Sequence, residues 1–216
     1  MNFALLPVKS PARAKERLAT VLSAAQREQL ARLMFGRVLE VLLQARGFDR
    51  VVVASDDADI LRRAHCAGAA PLAETMQNGH SCSADWAAGK CLQWGATTLF
   101  MVPIDVPLLT ARELEAVLDS ALAMPEPRLV IVPSADGAGT NALVRTPPDV
   151  IESRFGPGSF AAHISQANEK RVAVAVARPD GLVFDLDTPE DVAEYLRRAP
   201  AGPIADFLRS CGLEGE

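Results

Sequence analysis

The chain has 216 residues and a formal net charge of −5, with 49% hydrophobic and 5% aromatic residues. Its length suits one large α/β domain, and its apolar content is ample for a core, which argues against intrinsic disorder. The acidic balance and the scarcity of aromatic side chains argue against a nucleic-acid partner, because such partners require a basic surface or a stacking platform.

The cysteines and the apolar runs indicate the cellular compartment of the protein. Cys66, Cys82, Cys91 and Cys211 include no pair with the C-x-x-C spacing of a zinc site. No signal peptide precedes the first strand pattern, and no apolar run is long enough to span a bilayer. We therefore expect a cytoplasmic protein with free thiols and no membrane partner.

Strand and helix patterns alternate along the first half of the chain. Apolar runs predict buried strands at 3–8, 51–54, 70–72, 99–104 and 129–132. Apolar residues at helical spacing predict helices from Ser23 to Arg46, after Ser55-Asp56-Asp57, through 84–92 and over 114–122. Buried strands separated by helices are typical of a mostly parallel sheet covered on both faces. The pattern predicts a single α/β domain over residues 1–216.

The second half carries two small polar loops that contain glycine, 134–141 and 154–160. The remaining patterns are strands at 142–144, 172–176 and 182–184 and a helix around His163. The last segment, 201–216, is expected to be a peripheral tail with a weakly held helix and a frayed end.

Acidic residues stand at two places where an apolar strand pattern ends. Asp105 follows the run 99–104, and Asp185 and Asp187 follow the run 182–184. Strand ends meet at one edge of an open α/β sheet, where ligands bind. Carboxylates gathered there are suited to holding magnesium against a polyphosphate.

The same residues also have a structural interpretation. Asp187 or Thr188 is a good cap for a helix whose first turn contains Pro189. Asp105 is a suitable cap for a turn before Pro107. Two acidic signals in one α/β chain favour the metal site, while capping stays open for each aspartate taken alone.

A basic loop follows the first strand pattern and contains Lys9, Arg13, Lys15 and Arg17. In an α/β fold this position receives phosphate groups, for which lysine offers a point charge and arginine a planar fork. The alternative is a solvated basic turn before a helix. An ordinary P-loop is excluded, because the Gly-x-x-x-x-Gly-Lys arrangement is missing.

The two glycine loops are candidate anion sites. Segments 137–141 and 156–159 each offer unhindered backbone N–H groups together with a hydroxyl. Ser159 stands at a predicted helix N-terminus, which attracts anions. Ordinary turns are the alternative for each loop. His163 lies one turn after Ser159, close enough to reach a carboxylate or phosphate, or to serve as a structural histidine.

Five segments, in a fixed order over nearly the whole chain, carry a family resemblance. They are 6–9 with 14–18, Pro103–Leu108, Gly139–Leu143, Phe155–Phe160 with His163, and Asp185–Asp191. Together they resemble the phospho-acid guanylyltransferases of deazaflavin-coenzyme biosynthesis. The resemblance implies a single-domain nucleotidyltransferase fold, similar to glycosyltransferase A and Rossmann-like, with a mostly parallel mixed sheet flanked by helices.

The resemblance also implies roles for individual residues. The carboxylates that match magnesium ligands are Asp105, Asp185 and Asp187. The matches to the basic catalytic loop over the triphosphate are Lys9, Lys15 and Arg17. The matches to positions that hold the acceptor are Thr140, Gly156 and Ser159.

The implied reaction transfers GMP from GTP to the phosphate of a small phospho-acid and releases pyrophosphate. Family members use 3-phosphoglycerate, phosphoenolpyruvate or 2-phospho-L-lactate, and we expect one of the first two in preference to the third. Magnesium is the implied cofactor, GTP and the acid are the implied partners, and the product is expected to pass to the next enzyme of the pathway.

One stretch departs from the family pattern. Where the family carries Gly-Leu-Asn-x-Ala close to the nucleotide, this chain reads Gly79-His80-Ser81-Cys82-Ser83. Gly79 is kept, and we expect Ser81 or the preceding Asn78 to supply the polar contact to the nucleotide.

The departure keeps two other functions open. One is a different nucleotidyltransferase, of the molybdopterin or sugar-phosphate type, although the first loop here is not rich in glycine as theirs are. The other is a nucleotide-binding protein that has lost catalysis, against which the three aspartates argue.

Overall fold

The computed structural model describes residues 1–11, 14–74, 79–199 and 201–215. The strands are β1 (Asn2–Val8), β2 (Arg50–Ser55), β3 (Ala70–Ala73), β4 (Thr98–Met101), β5 (Arg128–Pro133), β6 (Thr140–Thr146) and β7 (Ala173–Val176). The helices are α1 (Ala24–Gln44), α2 (Ala58–Cys66), α3 (His80–Gln93), α4 (Ala111–Leu122), α5 (Ser159–Glu169), α6 (Asp180–Val183), α7 (Pro189–Arg198) and α8 (Pro203–Ser210). A short 3-10 turn covers Glu16–Leu18.

The described residues form one seven-stranded sheet in the order β3-β2-β1-β4-β6-β5-β7. It is mostly parallel, as predicted: β6 alone among these strands runs antiparallel to its neighbours, β4 and β5. The carboxyl ends of β1, β4 and β5 therefore lie at the same edge as the amino end of β6. We call this the site edge, and Val8, Met101, Pro133 and Thr140 mark it.

Alternating side chains of the central strands bury both faces of the sheet. In β1, Ala4 and Leu6 belong to the cluster formed with α1 and α4, whereas Phe3 and Leu5 belong to the cluster formed with α3. Each of these four residues is at most 1% exposed. A strand covered on both sides cannot alternate apolar with polar residues, which explains the continuous apolar run in the sequence.

Local chemistry sets the bounds of the long first helix. The Ser23 hydroxyl accepts from the Gln26 backbone N–H, and the Gln26 side chain accepts from the Ser23 backbone, which completes a capping box. The predicted start of α1 is therefore confirmed. The helix ends at Gln44, before Gly47, whose φ of 92° is a conformation that favours glycine.

The expected strand end at Asp105 is wrong. β4 ends at Met101, and the chain leaves the sheet through Val102 and Pro103. Proline has no N–H to donate to a neighbouring strand, so the ladder stops before Pro103. The apolar run itself continues to Ile104. Asp105 consequently stands on a loop beyond the site edge.

The expected strand before Asp185 is also wrong, because 180–183 forms the short helix α6. Tertiary packing explains the difference. The Gly181 N–H donates to the Glu113 carboxylate at 2.7 Å, and a Cβ on Gly181 would lie 2.6 Å from the Leu108 carbonyl oxygen. Asp185 follows this tightly packed turn as part of a loop.

The C-terminal segment holds a packed helix rather than a weakly held one. Ile204, Ala205 and Leu208 of α8 are 3%, 0% and 0% exposed. They share a buried cluster with Leu30 of α1 and Leu196 of α7. Within the described residues, no helix combines the length and the apolar content that crossing a bilayer requires.

Candidate active site

Two adjoining clefts open at the site edge. The first, of about 590 Å³, is lined by both glycine loops, and we call it the glycine-loop cleft. The second, of about 750 Å³, is lined by the basic loop that follows β1, and we call it the basic-loop cleft. The residues that line both clefts are Pro7, His80, Pro103, Asp105 and Asp187. Two aspartates therefore stand at the junction of a basic cavity and a cavity rich in glycine and hydroxyl groups.

Most of the predicted site residues line these clefts. Those on the glycine-loop cleft are Arg17, Asp105, Thr140, Gly156, Ser159, Asp185 and Asp187. Those on the basic-loop cleft include Lys9 and Lys15. Arg13 of the predicted basic loop and Asn78 of the altered stretch lie outside the described residues.

A buried lysine joins the two acidic segments. The Lys15 side chain, only 2% exposed, forms an ion pair with Asp105, and its Nζ lies 3.8 Å from Asp187 Oδ1. The same Nζ donates to the Leu186 carbonyl oxygen at 2.6 Å. Lys15 has a φ of 57°, a left-handed conformation that is uncommon for a residue with a side chain and is concentrated at functional sites. Contacts of the Lys15 ammonium with three acceptor oxygens offset the cost of this backbone conformation.

The structure distinguishes the residue that caps α7 from the residue that lines the clefts in the acidic segment 185–191. Thr188 is the cap of α7: its hydroxyl accepts from the Asp191 N–H, and Asp191 accepts from the Thr188 N–H at 2.7 Å. The Asp187 N–H also donates to Asp191, at 3.0 Å, but the Asp187 carboxylate takes no part in the cap. That carboxylate lies 3.1 Å from Arg17 Nη1 and lines both clefts.

Asp185 is half-buried beside other carboxylates. Burial raises the pKa of Asp185 above its usual range, the Asn141 amide lowers it, and the neighbouring Asp191, Asp105 and Asp187 raise it further. Asn141 donates from Nδ2 to the carbonyl oxygens of Leu182 and Val183 at 3.0 and 2.9 Å, so it fixes the turn that carries Asp185. The sequence did not single out Asn141 for this role, although it lies within one of the family segments.

The oxygen donors at the junction fit a hard divalent cation. Carboxylate and carbonyl oxygens surround the Lys15 ammonium, and the like charges around Asp185 favour a counter-cation. In the described part of the chain, no group of three or more His, Cys, Asp or Glu side chains is arranged to hold a metal ion by itself. A divalent cation at this place would therefore need oxygen ligands from a bound molecule or from water in addition to the carboxylates.

Four successive backbone N–H groups, two before the second glycine loop and two at its start, donate to side chains. The pairs are Glu152 with Gln166 Oε1 at 3.0 Å, Ser153 with Asp85 Oδ2 at 2.9 Å, Arg154 with His163 Nε2 at 2.9 Å, and Phe155 with Ser81 Oγ at 2.9 Å. The acceptors come from α3 and α5. These two helices therefore hold the loop up to the residue before Gly156.

The altered stretch takes part in this anchoring. Gly79 precedes α3 with a φ of 93°, and its carbonyl oxygen accepts from the Ser83 hydroxyl at 2.9 Å. His80 packs its ring on Phe155, with centroids 5.0 Å apart, and burial and the charge of Lys9 lower its pKa. Ser81 accepts from Phe155, so the substitution gives the loop an anchor. Nucleotide contacts by Gly79 and Ser81 stay a prediction.

His163 is fully buried and uses both ring nitrogens. Nδ1 lies 3.1 Å from Thr140 Oγ1, and Nε2 accepts from the Arg154 N–H. Burial and, to a smaller extent, the charge of the fully buried Arg145 lower the pKa of His163 to about 4. The structure therefore favours the structural interpretation of His163 over direct contact with a ligand, because both ring nitrogens contact groups of the protein.

Comparison with known proteins agrees with the resemblance. The family model described as "Guanylyl transferase CofC like" matches residues 2–216. A phosphoenolpyruvate guanylyltransferase from Sphaerobacter thermophilus is 37% identical, covering 95% of this chain and 97% of that protein. A 2-phospho-L-lactate guanylyltransferase from Methanothermobacter thermautotrophicus is 32% identical over 95% of this chain and 89% of that one. A 3-phospho-D-glycerate guanylyltransferase from Colwellia psychrerythraea is 31% identical over 87% and 88%.

Solved structures share the fold. A protein described as a nucleotide-diphospho-sugar transferase, from Desulfovibrio desulfuricans G20, superposes with a TM-score of 0.77 at 17% identity, covering 97% of this chain and 94% of that one. A nucleotidyl transferase from Methanothermobacter superposes with a TM-score of 0.65 at 14% identity, covering 97% and 99%. The expected nucleotidyltransferase fold is confirmed.

Proposed function

The chain belongs to the family described as guanylyl transferase CofC like, and on that premise we propose that it transfers GMP from GTP to the phosphate of phosphoenolpyruvate. Phosphoenolpyruvate is the preferred acceptor in this proposal because a relative at 37% identity carries that name, whereas the 2-phospholactate and 3-phosphoglycerate relatives are 32% and 31% identical. The reaction belongs to deazaflavin-coenzyme biosynthesis, and its product passes to the next enzyme of that pathway.

One observation carries the proposal: a basic cleft and a glycine-loop cleft meet at Asp105 and Asp187. The reaction has to bring two polyanions together, and two like charges 4 Å apart repel by about 4 kcal/mol at an effective dielectric constant near 20. A junction with cations on one side and backbone N–H groups on the other lowers that repulsion and gives each anion its own cleft.

The chemistry needs no general base. A phosphate monoester is largely dianionic near neutral pH, since its second pKa is about 6. A phosphate oxygen of the acceptor attacks the α-phosphorus of GTP, the bond from that phosphorus to the bridging oxygen of the β-phosphate breaks, and pyrophosphate leaves with the electron pair. Lys9, Lys15 and Arg17 neutralise the triphosphate, while Thr140, Ser159 and the Gly156 backbone hold the acceptor in line.

Asp105, Asp185 and Asp187 are the residues that would hold magnesium. When bound, the ion supplies positive charge against the triphosphate oxygens. The Lys15 ammonium already pairs with two of these carboxylates, Asp105 and Asp187, which supports a centre of positive charge at this place.

The test is pyrophosphate release from GTP in the presence of magnesium and one acid at a time. Phosphoenolpyruvate, 3-phospho-D-glycerate and 2-phospho-L-lactate are the three arms, and ATP and CTP replace GTP in control reactions. We expect release with GTP and phosphoenolpyruvate. Faster release with another acid overturns the choice of acceptor, and no release with any acid, despite measurable GTP binding, overturns the proposed function.

A further inference from the structure

The contacts of His163 fix where its proton lies. A backbone N–H is only a donor, so His163 Nε2, which accepts from Arg154 at 2.9 Å, carries the lone pair. In the neutral ring the proton is then on Nδ1, and Nδ1 donates to Thr140 Oγ1 at 3.1 Å. Burial, Arg145 and Arg154 favour this neutral ring, against the opposing charge of Asp85.

The tautomer in turn determines what Thr140 presents to the cleft. A hydroxyl has one proton to donate and two lone pairs that accept. Thr140 Oγ1 accepts from His163 Nδ1, and the Ser159 hydroxyl donates to the same oxygen at 3.2 Å. Both lone pairs are therefore used, so the Thr140 proton is the part of the hydroxyl left for a ligand. Thr140 lines the glycine-loop cleft, and an anion there requires a donor.

We propose that His163 is a positioning residue that, as its Nδ1–H tautomer, orients the Thr140 hydroxyl as a hydrogen-bond donor to the anionic acceptor. Its other nitrogen holds Arg154, two positions before Gly156, so a single buried ring sets both the hydroxyl and the loop. The identity of the anion rests on the proposed function, whereas the tautomer and its effect on Thr140 do not.

Helix α5 offers a matched control for this role. Gln166 is also buried on α5, and its side chain accepts from the Glu152 N–H, just before the second glycine loop. In a Gln166→Leu variant one loop anchor is lost, while the contact between His163 and Thr140 is retained. A merely structural role for His163 predicts the same kinetics for variants of the two residues.

The test is a double-mutant cycle between His163→Gln and Thr140→Val. The glutamine amide oxygen reaches the place of Nε2 and keeps the Arg154 contact, but it provides no donor at the place of Nδ1. We expect His163→Gln to raise the KM for the acceptor about tenfold, the loss of one oriented hydrogen bond to a charged group, and to leave the KM for GTP within about twofold. The same change in a Thr140→Val background should have an effect below about twofold.

Gln166→Leu should lower the melting temperature and leave the KM for the acceptor near the wild-type value. An undiminished effect of His163→Gln in the Thr140→Val background, or equal rises in KM for GTP and acceptor, overturns the proposal.

A second measurement does not depend on turnover. Nitrogen-15 NMR of the imidazole groups in the wild-type protein reports which ring nitrogen is protonated. The signals missing in His65→Gln and in His80→Gln identify those two residues, and the remaining signal of the three histidines belongs to His163. A proton on Nδ1 supports the proposal, and a proton on Nε2 overturns it even if His163→Gln does not fold. If no acid is turned over but the Nδ1–H tautomer is found, the proposed function alone has failed.

Discussion

Replacing Lys15 by Met tests whether the buried ammonium serves catalysis or only holds the fold together. Methionine keeps most of the apolar stem of the side chain and removes the charge. The change breaks the ion pair with Asp105 and the hydrogen bond to the Leu186 carbonyl oxygen, and it leaves Asp105 and Asp187 without the cation between them.

The expected magnitude follows from the distances and the exposure. One charge pair at about 4 Å is worth about 4 kcal/mol at an effective dielectric constant near 20. Asp105 and Asp187 are 42% and 31% exposed, so water screens much of that interaction. We expect the free energy of unfolding to fall by about 1–2 kcal/mol. Turnover should fall about 100-fold to 1,000-fold, because the variant lacks a positive charge that would stabilise the triphosphate. The loss is large because substrate binding displaces the water that would otherwise screen the triphosphate charge.

The assay combines urea unfolding with pyrophosphate release at saturating GTP and acceptor. Lys90→Met on α3 is the control. The Lys90 ammonium donates to the Gln93 side chain on the same helix, away from both clefts, so this variant should leave turnover unchanged. Lowered stability with unchanged turnover would refute the reasoning and make Lys15 a structural residue. Unchanged stability and unchanged turnover would show that the ion pairs contribute nothing measurable.

Three further predictions concern the acidic centre, the buried histidine and the C-terminal helix. Asp185→Asn should lower turnover at least about 100-fold. Burial raises the pKa of Asp185, so its ionised form opposes folding. The same variant should therefore be more stable than wild type at pH 7, and the gain should shrink as the pH falls towards 3.8, the ordinary pKa of an aspartate. Equal stability at pH 7 contradicts this prediction. The pKa of His163 is lowered from 6.5 to about 4, so the unfolded state binds the proton first and wild-type stability should fall as the pH drops from 6.5 to 4. The slope from this group is at most about 1.4 kcal/mol per pH unit, and urea titrations at several pH values should find it missing in His163→Gln. Leu208→Ala on α8 should lower the free energy of unfolding by about 2–4 kcal/mol; a loss below about 0.5 kcal/mol in urea would show that this helix is weakly held after all.

The sequence alone determined the fold class and the bounds of several elements. Buried strands and helices have different apolar periods, so the alternation along the first half of the chain predicts the doubly covered sheet. The start of α1 was also predictable, because a capping box involves only Ser23 and Gln26. The five family segments do not determine the acceptor, because the three acids differ by a few atoms and several loops contribute to the cavity.

The tertiary structure decided that residues 180–183 form α6, because packing overrides a local apolar pattern. The segment at 180–183 reads as a strand, but Gly181 is held against Glu113 and Leu108, residues far from it in the chain. The sheet ladder stops at Met101 inside the apolar run before Asp105, and Pro103 is the residue in that run that is incompatible with a continued strand.

The site follows the same division. Aspartates, basic residues and glycine loops were recognisable as residue types with a shared chemistry, and their order matched a family. What each side chain does was decided in three dimensions: Lys15 meets Asp105 and Leu186, and the His163 proton is placed by Arg154 and Thr140. Local propensity depends on neighbours in the chain, whereas charge pairing and tautomer state depend on which donors and acceptors the fold brings within about 3 Å.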